Sequence, residues 1–262
     1  MKIKEIVCAL GQFAPLPLQD SYDNAGLQVG LTEAEVTGAL LCLDVTEAVV
    51  DEAIELGYNL IISHHPLIFR GFKSITGANY IERCVMKAIK HDIVIYSAHT
   101  NLDNAVNGVN YKMAEKIGLQ GIAFLEQKTE CEPIQAGAGV VGMLPKAEKD
   151  VDFLQRVKQL FQVGCVKHTS LNGRMIQKVA LCGGAGAFLI GEAVKAGADV
   201  FITGEIKYHD YFGHGNDILL AEIGHYESEQ YTKEIFQQLI RERFPEVSVR
   251  MTKVNTNPVN YL

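Results

Sequence analysis

No run of apolar residues approaches the roughly 18 that a membrane-spanning helix requires. The opening stretch, MKIKEIVCALGQFAPLPLQD, also lacks the long apolar core of a secretory leader. The expectation is a soluble, cytoplasmic protein with no membrane partner. A positive charge balance is missing as well: 24 Lys and Arg stand against 31 Asp and Glu, a formal charge of −7. Phosphate-backbone binding needs clustered cations, so a nucleic-acid partner is disfavoured. A small anionic substrate stays open, because bound metal ions can supply positive charge. There is no CxxC pair. The six cysteines, Cys8, Cys42, Cys84, Cys131, Cys165 and Cys182, are spread along the chain and read as reduced core residues. No Gly-Lys-Ser/Thr follows the turn Cys182-Gly183-Gly184-Ala185-Gly186. A Walker loop is therefore excluded, and a tight structural turn is favoured over a phosphate cradle.

What is present is enough apolar sequence, 48% of 262 residues, for one large unit or two intertwined halves. The chain repeats itself. Residues 36–67 and 176–207 align without a gap at an offset of 140, so that Leu41, Cys42, Glu52, Ala53, Gly57 and Ile62 recur as Leu181, Cys182, Glu192, Ala193, Gly197 and Ile202. Each copy reads as strand, turn, amphipathic helix, Gly and second strand, which argues for duplication. With one inserted residue, 92–103 continues onto 217–229 and sets His99 over His225 and Asp103 over Glu229. Helices are predicted near 3–13, 46–56, 78–90, 104–117, 150–162, 187–196 and 226–242. Strands are predicted near 38–43, 59–63, 93–97, 138–143, 178–182, 199–203 and 218–222. This alternation predicts an α/β fold of two intertwined repeats with mixed or parallel sheets. The polar segment 126–137 is the expected linker, dividing the chain into 1–125 and 126–262.

Three strand ends carry residues suited to chemistry. Ser63-His64-His65-Pro66 closes an apolar strand, at the end where ligands gather in open α/β sheets. In an extended backbone the two rings point to opposite faces and would reach two metals lying side by side. His225 and Glu229, four residues apart, share a helix face; Glu227 falls off that face and is expected in solvent. Asp103 lies in Ser97-Ala98-His99-Thr100-Asn101-Leu102-Asp103 after another buried strand. Singly, these have ordinary readings as surface histidines, a helix-surface pair and a helix cap. Together, three histidines and two carboxylates suit two divalent ions, with Glu229 or Asp103 bridging them. Thr203-Gly204-Glu205 is the second copy's counterpart of Ser63-His64-His65, with Glu205 in place of His65. Lys207 and His209 nearby are candidates for substrate contact.

These motifs, with Tyr22-Asp23-Asn24-Ala25-Gly26-Leu27-Gln28-Val29-Gly30, resemble the Nif-three-like family (Ngg-interacting factor three), whose bacterial members carry the name GTP cyclohydrolase I type 2 homologue. The resemblance covers essentially the whole chain. It implies a dinuclear centre between the repeats, with metal ligands His64, His65, Asp103, His225 and Glu229; histidine and carboxylate ligands allow zinc, iron, manganese or other ions. It also implies ring-shaped homohexamers, and this chain has no room around 126–140 for the extra domain some members insert. The function it implies is a metal-dependent hydrolase acting on a nucleotide. His99 or His209 would move protons, and Asp23, Asn24, Glu205 and Lys207 would bind substrate. The alternatives are a phosphoester hydrolase and a non-catalytic metal-binding scaffold.

Overall fold

The computed structural model describes residues 1–214 and 217–262. The chain runs α1 (Ile3–Phe13), β1 (Gly26–Val29), β2 (Ala39–Cys42), α2 (Glu47–Leu56), β3 (Leu60–Ser63), α3 (Tyr80–Lys90), β4 (Val94–Ser97), α4 (Thr100–Asp103), α5 (Val109–Ile117), β5 (Gln120–Gln127) and β6 (Gly137–Lys149). It continues through α6 (Asp150–Leu160), β7 (Lys167–His168), β8 (Met175–Cys182), α7 (Ile190–Lys195), β9 (Val200–Thr203), β10 (Leu219–Glu222), α8 (His225–Glu229), α9 (Thr232–Arg243) and β11 (Val249–Met251). No helix among the described residues is long and apolar enough to cross a membrane.

Two compact units result, residues 1–102 with 232–258, and residues 103–231 with 259–262. The first unit holds a five-stranded sheet in the order β1-β4-β3-β2-β11, parallel except for β1. Its central strand, Leu60–Ser63, is fully buried, as a strand covered on both faces must be. One face packs Leu40, Ile61 and Ile95 against Val49, Val50 and Ala53 of α2 and Cys84, Val85 and Ala88 of α3. Thr46 caps α2, accepting from Val49 N–H, and Gly57 ends it in the left-handed region at φ 68°.

The second unit has six strands in the order β5-β6-β8-β9-β10-β7. β8, β9 and β10 pair in parallel, and the other pairings are antiparallel. Met113, Phe153 and Val157, from α5 and α6, cover one face with Val179, Leu181 and Ile202. Ile190 and Ala193 of α7 cover the other with Ala180, Phe201 and Leu220.

The duplication is visible in register. Ala39 pairs with Leu60 and Cys42 with Ser63; at the same offset, Val179 pairs with Val200 and Cys182 with Thr203. Asn59 accepts from Thr37 N–H at 2.9 Å, and its counterpart Asp199 accepts from Gln177 N–H at 2.8 Å. The residue inserted in the second copy is Gly224, whose φ of 94° turns the chain from β10 into α8.

Several expectations are corrected. The compact units do not divide at 125/126: β11 pairs with β2 in the first sheet, and β5 pairs with β6 in the second. The expected linker 126–137 is instead the end of β5, a loop over 128–136 and the start of β6, with the loop's ends joined where Lys128 N–H donates to the Ala136 carbonyl. The helix expected over 104–117 begins only at Val109, after Asn107 at φ 61° and with Gly108 in the N-cap position of α5. The helix expected over 226–242 is α8 followed by α9. Only Cys42, Cys84 and Cys182 are core residues; Cys8 and Cys165 are exposed. Ile61 is completely buried, and Ile61→Ala should cost about 2–5 kcal/mol through the lost transfer energy and the cavity left behind, read as a lowered urea midpoint.

Candidate metal centre

In the first unit the candidate residues follow the ends of parallel strands. β3 stops at Ser63, whose hydroxyl bonds Ser97 Oγ at 2.7 Å and the His65 carbonyl at 2.9 Å. The chain then bends, so His64 and His65 do not point to opposite faces as an extended backbone would require. Their ring centroids are 5.0 Å apart, and His99, just after β4, lies 5.2 and 5.5 Å from them. One ring nitrogen from each of the three lies within 4.8 Å of the others.

Each ring is fixed through Nδ1. His64, fully buried, donates to the Ala98 carbonyl at 2.8 Å. His65 donates to Asp44 Oδ1 and His99 to Asp23 Oδ1, both at 2.7 Å. A carbonyl or carboxylate can only accept, so the network assigns the proton to Nδ1 and leaves the Nε2 lone pair for a ligand. Asp44 also accepts from Thr256 Oγ1 at 2.7 Å. Burial, the largest single effect, pushes the Asp44 carboxyl up, but the hydrogen bonds from His65 and Thr256 and the nearby histidine charge together outweigh it and hold the carboxyl below its usual range. Burial likewise raises Asp23, and the bonds from His99 and Thr100 outweigh it and bring it down to about 2. Both acids thus stay ionised beneath their histidines.

In the second unit α8 sets His225 and Glu229 one turn apart. His225 Nδ1 donates to Glu205 Oε1 at 2.7 Å, and its Nε2 faces Glu229 Oε2 at 3.0 Å. With Nδ1–H already given to Glu205, Nε2 meets that carboxylate through a proton or through a shared cation. A carboxylate oxygen of Asp103 lies within 4.8 Å of one from Glu229, so the buried Glu229 stands near both other donors of this unit.

The glycine turn 183–186 has a role the sequence did not reveal. All three of its glycine N–H groups are taken within the protein: Gly183 donates to Asn110 Oδ1, Gly184 to Ser228 Oγ and Gly186 to Thr203 Oγ1, at 2.9, 3.0 and 2.9 Å. It is not a phosphate cradle. At Gly184, where φ is 58°, a Cβ would collide with Glu229 Oε1 and come within 3.3 Å of His225 Cε1; at Gly183 it would lie 3.3 Å from Glu229 Cγ. The missing side chains make the space that Glu229 occupies.

Other expected site residues take different roles. Asp23 is committed to His99 and to Thr100 N–H, and its carboxylate is fully covered, so it positions His99 and does not face a base or ribose. Asn24 donates to the Ile68 carbonyl at 2.5 Å, tying a loop. Glu205 orients His225. His209 sits on the 3-10 turn Tyr208–Tyr211, edge-on to Tyr208 at 5.3 Å, and is absent from the metal-competent groups found among the described residues. Lys207 precedes that turn and is exposed. Glu227 is buried, not solvated; a Cβ on Gly224 would meet its carboxylate.

Imidazole nitrogens and carboxylates, with no thiolate among them, suit zinc, iron or manganese, so the donor set of each unit fits a divalent ion. The class is therefore an α/β protein built by duplication, with metal-competent histidine and carboxylate groups. The chain belongs to the DUF34/NIF3 (NGG1p interacting factor 3) family, whose sequence model matches residues 1–258. A protein of Clostridium perfringens named "GTP cyclohydrolase 1 type 2 homolog" is 35% identical, with both chains fully covered. One of the same name from Staphylococcus aureus is 30% identical over an alignment of 370 positions, so that relative carries substantial sequence with no counterpart here. The crystal structure of Staphylococcus aureus protein SA1388 superposes at a TM-score of 0.90 with 31% identity, covering 100% of this chain and 99% of that one. A Bacillus cereus protein related to NIF3 gives 0.90 at 25% identity, with the same coverage.

Two substitutions test the geometry without touching a ligand. Asp44→Asn removes the charge beneath His65 and should weaken metal binding about 10–100-fold. Gly184→Ala should weaken it by displacing Glu229. Competition against a chelating dye measures both, with unfolding curves as the control for fold.

Proposed function

We propose that this chain binds two divalent ions through His64, His65, Asp103, His225 and Glu229 and hydrolyses a nucleotide with them. The observation that carries the reading is the shared anchoring of His64, His65, His99 and His225, each with Nδ1 on an acceptor and Nε2 left for a ligand or a proton. Rings that serve only packing have no need of four such partners. The substrate class comes from the relatives' name, GTP cyclohydrolase 1 type 2 homolog. A bound pair of divalent ions lowers the pKa of water and stabilises anionic charge on the substrate.

The chain's own residues have distinct tasks. Glu229 is the proposed bridging ligand, because its carboxylate stands close to both His225 and Asp103. His99 is the proposed proton carrier: its Nε2 accepts a proton, and the ionised Asp23 beneath Nδ1 stabilises the resulting imidazolium. Glu205 holds the His225 ring in the orientation a ligand needs. Lys207 and His209, both exposed, are the proposed substrate contacts on the segment after β9, with His209 as a second proton carrier. The working form is proposed to be a cytoplasmic, ring-shaped hexamer.

Protein loaded separately with zinc, iron or manganese should convert GTP, or another nucleotide of a panel, to a hydrolysed product. His64→Ala should reduce that rate about a hundredfold or more, since charge stabilisation by a metal is worth several kcal/mol. Full metal loading without turnover across the panel would replace this reading with a metal-binding scaffold.

A further inference from the structure

The loop between His65 and α3, residues 66–79, is largely exposed, yet it is tied down beside the histidine cluster. Ile68 N–H donates to Gln28 Oε1 at 3.1 Å, and the Ile68 carbonyl accepts from Asn24 Nδ2. The next residue, Phe69, is 43% exposed and places its ring edge-on to His99, with centroids 6.2 Å apart. Tyr22, 64% exposed, presents a second ring 6.4 Å from Phe69, tilted by 42°. Single exposed aromatics are ordinary on a protein surface. Two neighbouring exposed rings, one of them against a metal-competent histidine, are a different matter.

The spacing suits an inserted ring. A planar group held between two others needs about 7 Å, two van der Waals contacts of about 3.5 Å each. The 6.4 Å separation, with the rings tilted by 42°, falls just short of that, so admitting a third ring takes a rotamer change of the exposed Tyr22 that gives up its 3.2 Å hydrogen bond to Asp20 Oδ2. Arg70 follows Phe69 directly and Lys73 lies three residues further; both are exposed, and neither makes an ion pair among the described residues. In a chain of net charge −7, two exposed cations on the loop that carries Phe69 complement an aromatic ligand ring that carries phosphate.

We propose that Tyr22 and Phe69 form a stacking subsite for the planar heteroaromatic ring of a phosphorylated ligand, with Arg70 and Lys73 supplying charge to its phosphates. This rests on the nucleotide reading above and deepens it. The ring is recognised by stacking, not by the Asp23 and Asn24 side chains. Stacking tolerates any base, because every base has a π face, so selectivity among purines is set elsewhere.

The test is calorimetric binding of GTP, ATP and inorganic triphosphate to metal-loaded protein, with turnover measured in parallel. The double variant Tyr22→Ala/Phe69→Ala should weaken GTP and ATP about tenfold or more and leave inorganic triphosphate and metal content unchanged. Phe69→Tyr should retain wild-type affinity. Nucleotide affinity unchanged in the double variant would overturn the subsite while leaving the hydrolase reading intact. Nucleotide bound by wild type without turnover, and weakened in the double variant, would uphold the subsite and remove the hydrolase. Wild type that binds neither nucleotide would overturn the subsite.

Discussion

An imidazole serves as a metal ligand only when its proton is held elsewhere, and in this fold every histidine of the candidate centre meets that condition through a fixed acceptor. The acceptors come from distinct places: a backbone carbonyl at the end of β4 for His64, Asp44 after β2 for His65, Asp23 before β1 for His99 and Glu205 after β9 for His225. Parallel pairing is what makes this possible. Strands running in one direction deliver their carboxyl ends to one edge of each sheet, so ligands and the groups that orient them emerge side by side.

Duplication provided two copies of this frame, and divergence gave the copies complementary chemistry. At the offset of 140, Asp44 corresponds to Gly184 and His65 to Glu205. In the first copy the acid after the first strand orients a histidine after the second. In the second copy that acid has become a glycine, and the space it leaves admits Glu229. Glu205, standing where the first copy has His65, orients His225, the counterpart of His99. The same backbone positions thus exchange the roles of ligand, orienting acid and empty space.

Most of the fold was legible in the sequence because its central strands are short apolar runs buried on both faces, as in LIIS of β3 and VFIT of β9. The strands not foreseen, β1, β5, β7 and β11, lie at or next to sheet edges and carry polar or glycine residues that blur the signal. The unit boundaries were hidden because β11 is three residues long, yet it and α9 carry the end of the chain back to the first unit. Among the site residues, spacing alone singled out the histidines and carboxylates. The groups that aim them, Asp23, Asp44 and Glu205, sit 76, 21 and 20 residues from their partners, and no local pattern connects such distances. The role of Gly184 was legible only as an oddly glycine-rich turn, since what it makes room for lies 45 residues further along.

The central claim is that these anchored histidines and carboxylates hold metal. Elemental analysis of freshly purified wild-type protein beside Glu229→Gln tests it most directly. A dinuclear centre bridged by Glu229 predicts about two divalent ions per wild-type chain and fewer than one in the variant. Wild-type protein that stays metal-free after equilibration with zinc, iron and manganese in turn would contradict it.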